Sequence, residues 1–67
     1  MNIHDATKFA LAYNPPAPIR PDGWKPGKHL RMDTAKKHFI VYNGNNPLGQ
    51  YVPEVEDVLR QDWQLVV

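Results

Sequence analysis

Tyr13, Trp24, Tyr42, Tyr51 and Trp63 place two tryptophans and three tyrosines in 67 residues, a dense supply of flat rings for so short a chain. Arg20, Lys28 and Arg31 lie among them, and Asp57 and Asp62 follow. Rings, cations and carboxylates are the groups a nucleotide pocket needs. An aromatic face stacks a base for about 1–3 kcal/mol. Arginine meets a phosphate through two parallel N–H bonds, and a carboxylate accepts from a ribose hydroxyl or a base edge. Each candidate also has a plainer role. Trp63 stands in an alternating terminal run and reads as core. Trp24 follows a Pro-Asp-Gly turn, where a ring is harder to explain as core and easier to explain as a ligand contact. Tyr51 and Asp57 equally suit the start of a helix, as packing and capping residues, and Arg20 suits a solvated surface.

Chemistry that transforms a substrate has little footing here. The chain contains no serine and no cysteine, the two commonest nucleophiles. It has no Gly-x-Gly-x-x-Gly, no phosphate-binding loop and no His-Glu-x-x-His. Asp57 and Asp62 resemble a pair of catalytic carboxylates only by spacing, and acids in a short surface helix are ordinarily solvated or capping. His4, His29 and His38 show no spacing that resembles a metal-ligand set, and they read as surface or strand residues. The expectation is a binding protein, not an enzyme, without cofactor or metal.

Size and charge narrow the class further. A chain this short buries only about 60% of the surface it exposes when unfolded, and its core supplies roughly 3–5 kcal/mol of net stability. Disulfides and thiolate zinc are excluded by the absence of cysteine, so association with further copies is the expected supplement. The net charge of +1 is too small for a dedicated nucleic-acid binder. Its distribution is uneven. Lys25, Lys28, Arg31, Lys36 and Lys37 face the single acid Asp33, whereas Glu54, Glu56, Asp57 and Asp62 face Arg60. Two solvated faces, or subunits packing basic side to acidic side, account for that pattern. So does attraction of phosphate to the basic segment. The absence of a long apolar run and of a basic leader predicts a cytoplasmic protein without a membrane span.

The elements that must hold these residues follow from periodicity. Ile3, Ala6, Phe9, Ala10 and Tyr13 fall at helical spacing. Asn2 is placed to cap that helix and Asn14-Pro15-Pro16 to stop it. The Pro- and Gly-rich run that follows reads as a rigid connection anchored by Ile19 and Trp24, with a tight turn at Pro21-Asp22-Gly23 in which proline sets the first torsion. His29–Asp33 and His38–Tyr42 read as strands joined by a hairpin, and Asn43–Gly49 as a loop. Pro53 suits a first helical position ahead of Glu54 and Glu56. Val55, Val58 and Leu59 then form an apolar stripe for packing. Trp63, Leu65 and Val67 alternate as a final strand. The predicted fold is one α+β domain over residues 1–67: a small antiparallel sheet, an N-terminal helix, and a short C-terminal helix before a final strand.

The two ends and the Gly-Trp turn together resemble a known family of small phage proteins. Its members begin with a short helix of the pattern hydrophobic-x-x-Ala-hydrophobic and carry an arginine shortly before Gly-Trp. They end in Trp-x-Pro-Ser-x-x-Asp-Leu-Leu-Ala-x-Asp-Trp-x-hydrophobic-Val. Ile3, Ala6, Phe9, Arg20, Gly23, Trp24 and Gly27 match, as do Pro53, Asp57, Val58, Leu59, Asp62, Trp63, Leu65 and Val66 within YVPEVEDVLRQDWQLVV. Tyr51 stands where the family often has Trp, Glu54 where it often has Ser, and the central region is shorter. The family includes the second type of Thoeris anti-defence protein, a sponge for signalling nucleotides made by bacterial immunity. The resemblance implies capture without turnover of a cyclic ADP-ribose isomer or a cyclic dinucleotide, in the cytoplasm of an infected host. It implies a homo-oligomer, a dimer or tetramer, with pockets shared between subunits. Trp24, Arg20, Tyr51, Asp57, Asp62, Arg31 and Lys28 are the residues expected to line them. The same family includes anti-CRISPR inhibitors, so a protein–protein inhibitor of a defence enzyme is the alternative. A nucleic-acid surface over residues 25–38 is a weaker third option, recognisable by steep salt dependence.

Overall fold

The computed structural model describes residues 1–66. Helix α1 (Ile3–Leu11) precedes strands β1 (Ile19–Pro21), β2 (Lys28–Asp33), β3 (His38–Asn43) and β4 (Asn46–Tyr51). Helix α2 (Val55–Leu59) and strand β5 (Trp63–Leu65) complete the order. The five strands form one antiparallel sheet in the order β4-β3-β2-β1-β5. The expected α+β architecture is present. Val67, read as the last inward residue of the final strand, lies outside the described residues.

Helix α1 starts where Asn2 Oδ1 accepts the Asp5 N–H at 2.8 Å, satisfying a donor that has no partner within the helix. Ile3, Ala6 and Ala10 form its buried seam, and the two alanines let the helix backbone sit close to β1 and β5. The seam is narrower than the sequence pattern. Phe9 is exposed, because one residue before Ala10 it is turned about 100° away from that line. Tyr13 lies beyond the end of the helix and is also exposed.

Strand β1 is absent from the sequence reading, which treats Ile19–Pro21 as a connection. Three residues flanked by proline carry too little alternation to be recognised. Their pairing is tertiary: Ile19 faces Leu30 on one side and Leu65 on the other. The turn that follows is where the sequence places it. Trp24 N–H reaches Pro21 O at 3.5 Å, with Gly23 at a φ of +91° that favours glycine. Pro21 opens that turn as its first residue and ends the strand, instead of setting the first central torsion.

The β2–β3 hairpin is in register from Lys28–Asn43 to Asp33–His38. Asp33 shapes its turn, accepting Lys36 N–H on its carboxylate at 3.0 Å and Lys37 N–H on its carbonyl at 2.7 Å. Asn43–Gly49 is not a loop. Gly44-Asn45 alone makes the turn, and Asn46–Tyr51 returns as an edge strand. Proline and glycine concealed it. An edge strand tolerates Pro47, whose missing N–H can face away from the ladder. Gly49, at φ +132°, lies beside a register shift opposite Val41 and Tyr42.

Helix α2 also departs from expectation. Its N-cap is Glu54, so Pro53 precedes the cap and does not occupy the first turn. The stripe does not pack: Val55 is 74% and Leu59 71% exposed, and Val58 is exposed as well. The residue the helix buries is Asp57, at 7% exposure. With so few residues, α2 docks through the polar contacts of its first turn, and its apolar side is left outward. The core is Ile3, Ala6, Ala10, Ala17, Ile19, Leu30 and Trp63, flanked by Trp24, Met32, Phe39, Val41, Tyr51 and Leu65.

Candidate functional site

Strand alternation assigns the candidate residues to two faces. Trp63 and Tyr51 point to the core face, paired with Pro21 and Phe39. Arg20 and Arg31, one position out of phase with the buried Ile19 and Leu30, point to the opposite, open face. The seven residues expected to line one pocket are therefore divided.

Trp24 is the hub of the first group. Its ring meets Trp63 edge-on at 5.6 Å and Tyr51 edge-on at 5.8 Å, and the Lys28 ammonium lies 4.3 Å from its centroid. Tyr51 donates its hydroxyl to Asp57 Oδ2 at 2.6 Å, and the Glu54 N–H donates to the same oxygen at 2.9 Å. Trp63 Nε1 donates to the Asp57 carbonyl at 2.8 Å. Burial, and then the Asp57 carboxylate, push the Tyr51 hydroxyl well above its ordinary value, so it stays a donor. These contacts use Tyr51 and Asp57 to fasten α2 onto the sheet. The outward side of Trp24 and Lys28 instead borders an open cleft of about 500 Å³, lined also by Gly23, Lys25, Asn43 and Leu48.

Asp62 is occupied elsewhere. Arg60 grips it in two-pronged fashion, Nε to Oδ1 at 2.8 Å and Nη2 to Oδ2 at 2.7 Å. That guanidinium holds the Asp62 carboxyl below its usual range. Arg60 Nη2 also donates to Asp22 O at 2.7 Å, tying the exit of α2 to the β1–β2 turn. This strap joins residues far apart in sequence, which local pattern does not reveal.

The second group lies on the open face. The register sets Gln64 beside Arg20, and Tyr42 beside His29. One step along from the Ile19–Leu30 pair, Arg20 stands across from His29. Gln64, Arg20, His29 and Tyr42 thus form a row across four strands, with Arg31 one row further along. His29 and Tyr42 rings stack at 5.6 Å with 9° between planes, and the Arg31 guanidinium carbon lies 4.4 Å from the Tyr42 centroid. Arg31 Nε donates to His29 Nε2 at 3.1 Å, while His29 Nδ1 lies 2.9 Å from Gly27 O. Together these contacts select the neutral ring, with Nδ1–H donating and Nε2 accepting. Burial lowers the His29 pKa, the Gly27 carbonyl opposes that, and the charges of Arg31 and Arg20 lower it again.

Neither Arg20 nor Arg31 has an acid within ion-pair distance among the described residues. Arg60–Asp62 is the one ion pair among the described residues. Arg20 Nε is shielded from solvent and meets no acceptor among them. A donor in that condition costs about 1–3 kcal/mol. Two guanidinium groups without an ion-pair partner among the described residues, one of them over a tyrosine ring, suit a phosphate or another oxyanion. His29 was not among the expected site residues. Its alternation with Arg31 marks their common face in the sequence, but its place beside Arg20 depends on β1. Comparison with known proteins finds no matching family model, no similar curated protein and no similar solved structure.

Proposed function

We propose that this protein binds an anionic nucleotide on the open face of its sheet and holds it without turnover. The observation that carries the reading is that Arg20 and Arg31 share this face without an ion-pair partner among the described residues, Arg31 lying over the Tyr42 ring. Their guanidinium forks engage phosphate oxygens, and the Tyr42 ring offers a base a flat surface once Arg31 turns toward the phosphate. The sequence resemblance to phage Thoeris anti-defence sponges supports the same class of ligand. It suggests a cyclic ADP-ribose isomer or a cyclic dinucleotide, sequestered in the cytoplasm of an infected bacterium by a homo-oligomer.

The test is a thermal-shift panel of cyclic nucleotides, with light scattering for mass. A ligand that binds only the native state at one hundred times its Kd adds about 2.7 kcal/mol of stability. The melting temperature should rise with one of these ligands, the ligand should be recovered intact, and Arg20→Ala with Arg31→Ala should abolish the rise. A panel that gives no shift overturns the reading.

A second reading rests on α2. Val52, Val55, Val58 and Leu59 are all exposed, an apolar surface suited to another protein. An inhibitor of a defence enzyme would show no nucleotide shift and would co-purify with that enzyme. Val55→Glu would then abolish capture.

A further inference from the structure

The open face contains a third group that the arginine pair does not account for. His29 is only 8% exposed, yet its Nε2 is turned toward Arg31 and accepts that residue's N–H. The groups facing it are known from each neighbouring strand: Arg20 from β1, Arg31 from β2 itself, Tyr42 from β3, and the Gly27 carbonyl behind Nδ1. No carboxylate among the described residues pairs with it. Two positive charges and one neutral ring able to accept a proton therefore share one surface.

We propose that His29 is a third ligand-binding arm of this face, which takes up a proton when a phosphate-class dianion is seated between Arg20 and Arg31. The inference rests on the open-face reading above and specifies its ligand as an oxyanion group of total charge −2, which the bridging diphosphate of a cyclic ADP-ribose isomer carries and a single phosphodiester does not. In the free protein the ring is neutral for two reasons: burial disfavours its charge, and the two guanidinium groups repel it. A dianion cancels the repulsion and offers Arg31 Nε a better acceptor than an imidazole nitrogen. Once Arg31 turns to the anion, Nε2 is released. Protonated there, it donates to the same anion while Nδ1–H keeps Gly27 O. The proton comes from solvent, and no covalent bond changes. The anion gains a third donor and the ring gains a counter-charge. A monoanion offsets less of the repulsion, so the site discriminates by ligand charge.

Proton and anion are then reciprocal ligands: whatever factor protonation adds to anion affinity, the anion adds to proton affinity. Sulfate is the probe, because it stays dianionic from pH 5 to 8 and cannot supply the proton itself. The His29 ring resonances are followed by NMR against pH, in sodium sulfate and in sodium chloride at matched ionic strength. Sulfate should raise the His29 pKa by about one unit, which corresponds to sulfate binding that tightens as pH falls, up to about tenfold once pH is below the free-protein pKa. In His29→Gln, sulfate affinity should be flat with pH. A His29 pKa indifferent to sulfate overturns the proposal, as does an unchanged pH dependence in His29→Gln. The two readings fail separately. Linkage of sulfate to His29 without any cyclic-nucleotide shift upholds this inference and removes the sequestering function. A nucleotide shift that survives Arg20→Ala, with His29 unresponsive, removes this inference and moves nucleotide capture elsewhere on the molecule.

Discussion

Asp57 fastens α2 through both its side chain and its backbone carbonyl. Its carboxylate takes the Tyr51 hydroxyl and the Glu54 N–H, and its carbonyl takes the Trp63 indole. Tyr51→Phe removes one hydrogen bond to a charged acceptor and should cost about 1.5–3 kcal/mol in urea unfolding. Asp57→Ala leaves two donors without an acceptor at a half-buried helix start and should cost more. In a double-mutant cycle the two changes should couple by about 0.5–3 kcal/mol, as contacting residues do. A coupling near zero would mean that the 2.6 Å contact contributes nothing. The sequence identifies Tyr51 and Asp57 as notable residues, and resemblance suggests they face a ligand. Their geometry fastens one to the other, a relation that depends on where β4 ends and α2 begins. Arg20 and Arg31 are legible as candidate phosphate contacts. That they share a face with His29 needs the β1–β2 register.

At the scale of elements, strong local signals survive and weak ones are decided by pairing. The capped start of α1 and the β2–β3 hairpin follow from residues close in sequence: Asn2, Asp33, and the alternation of Leu30 and Met32. Strand β1 and strand β4 follow from partners. Ile19 is buried because β2 and β5 flank it, and Asn46–Tyr51 pairs despite Pro47 and Gly49 because it lies at the sheet edge. Helix α2 shows the opposite error, since its apolar spacing suggests packing that its short length and inward Asp57 prevent. The contrast is measurable. Leu30→Ala, in a fully buried central position, should cost about 2–5 kcal/mol in urea unfolding. Val55→Lys and Leu59→Lys should each change stability by less than about 0.5 kcal/mol, as surface substitutions do. If Leu59→Lys instead lowers stability in a concentration-dependent manner, the α2 stripe is covered by a second copy of the chain.

Across the whole molecule, three of the four perturbed groups, His29, Asp62 and Tyr51, shape how stability varies with pH. Desolvation and the neighbouring arginines lower the His29 pKa from 6.5, so between its folded value and 6.5 the unfolded chain binds more protons. The contribution of His29 is therefore fully present above 6.5 and is lost as pH falls through its folded value. Asp62, held below its ordinary 3.8 by Arg60, acts in the same direction at lower pH, weakly because the pair is exposed. Tyr51 acts in the opposite direction. Burial and Asp57 raise its pKa above 10.0, so its contribution is fully present below pH 10 and is lost as pH rises beyond it. Stability should therefore be highest between about pH 7 and 10 and fall on both sides. Urea midpoints measured from pH 4 to 11 would show this profile. His29→Gln should remove the decline that begins as pH falls below 6.5, and Tyr51→Phe should remove the decline above pH 10. A wild-type decline on the acid side that is unchanged in His29→Gln would assign it to other groups and leave the neutral state of His29 without energetic consequence.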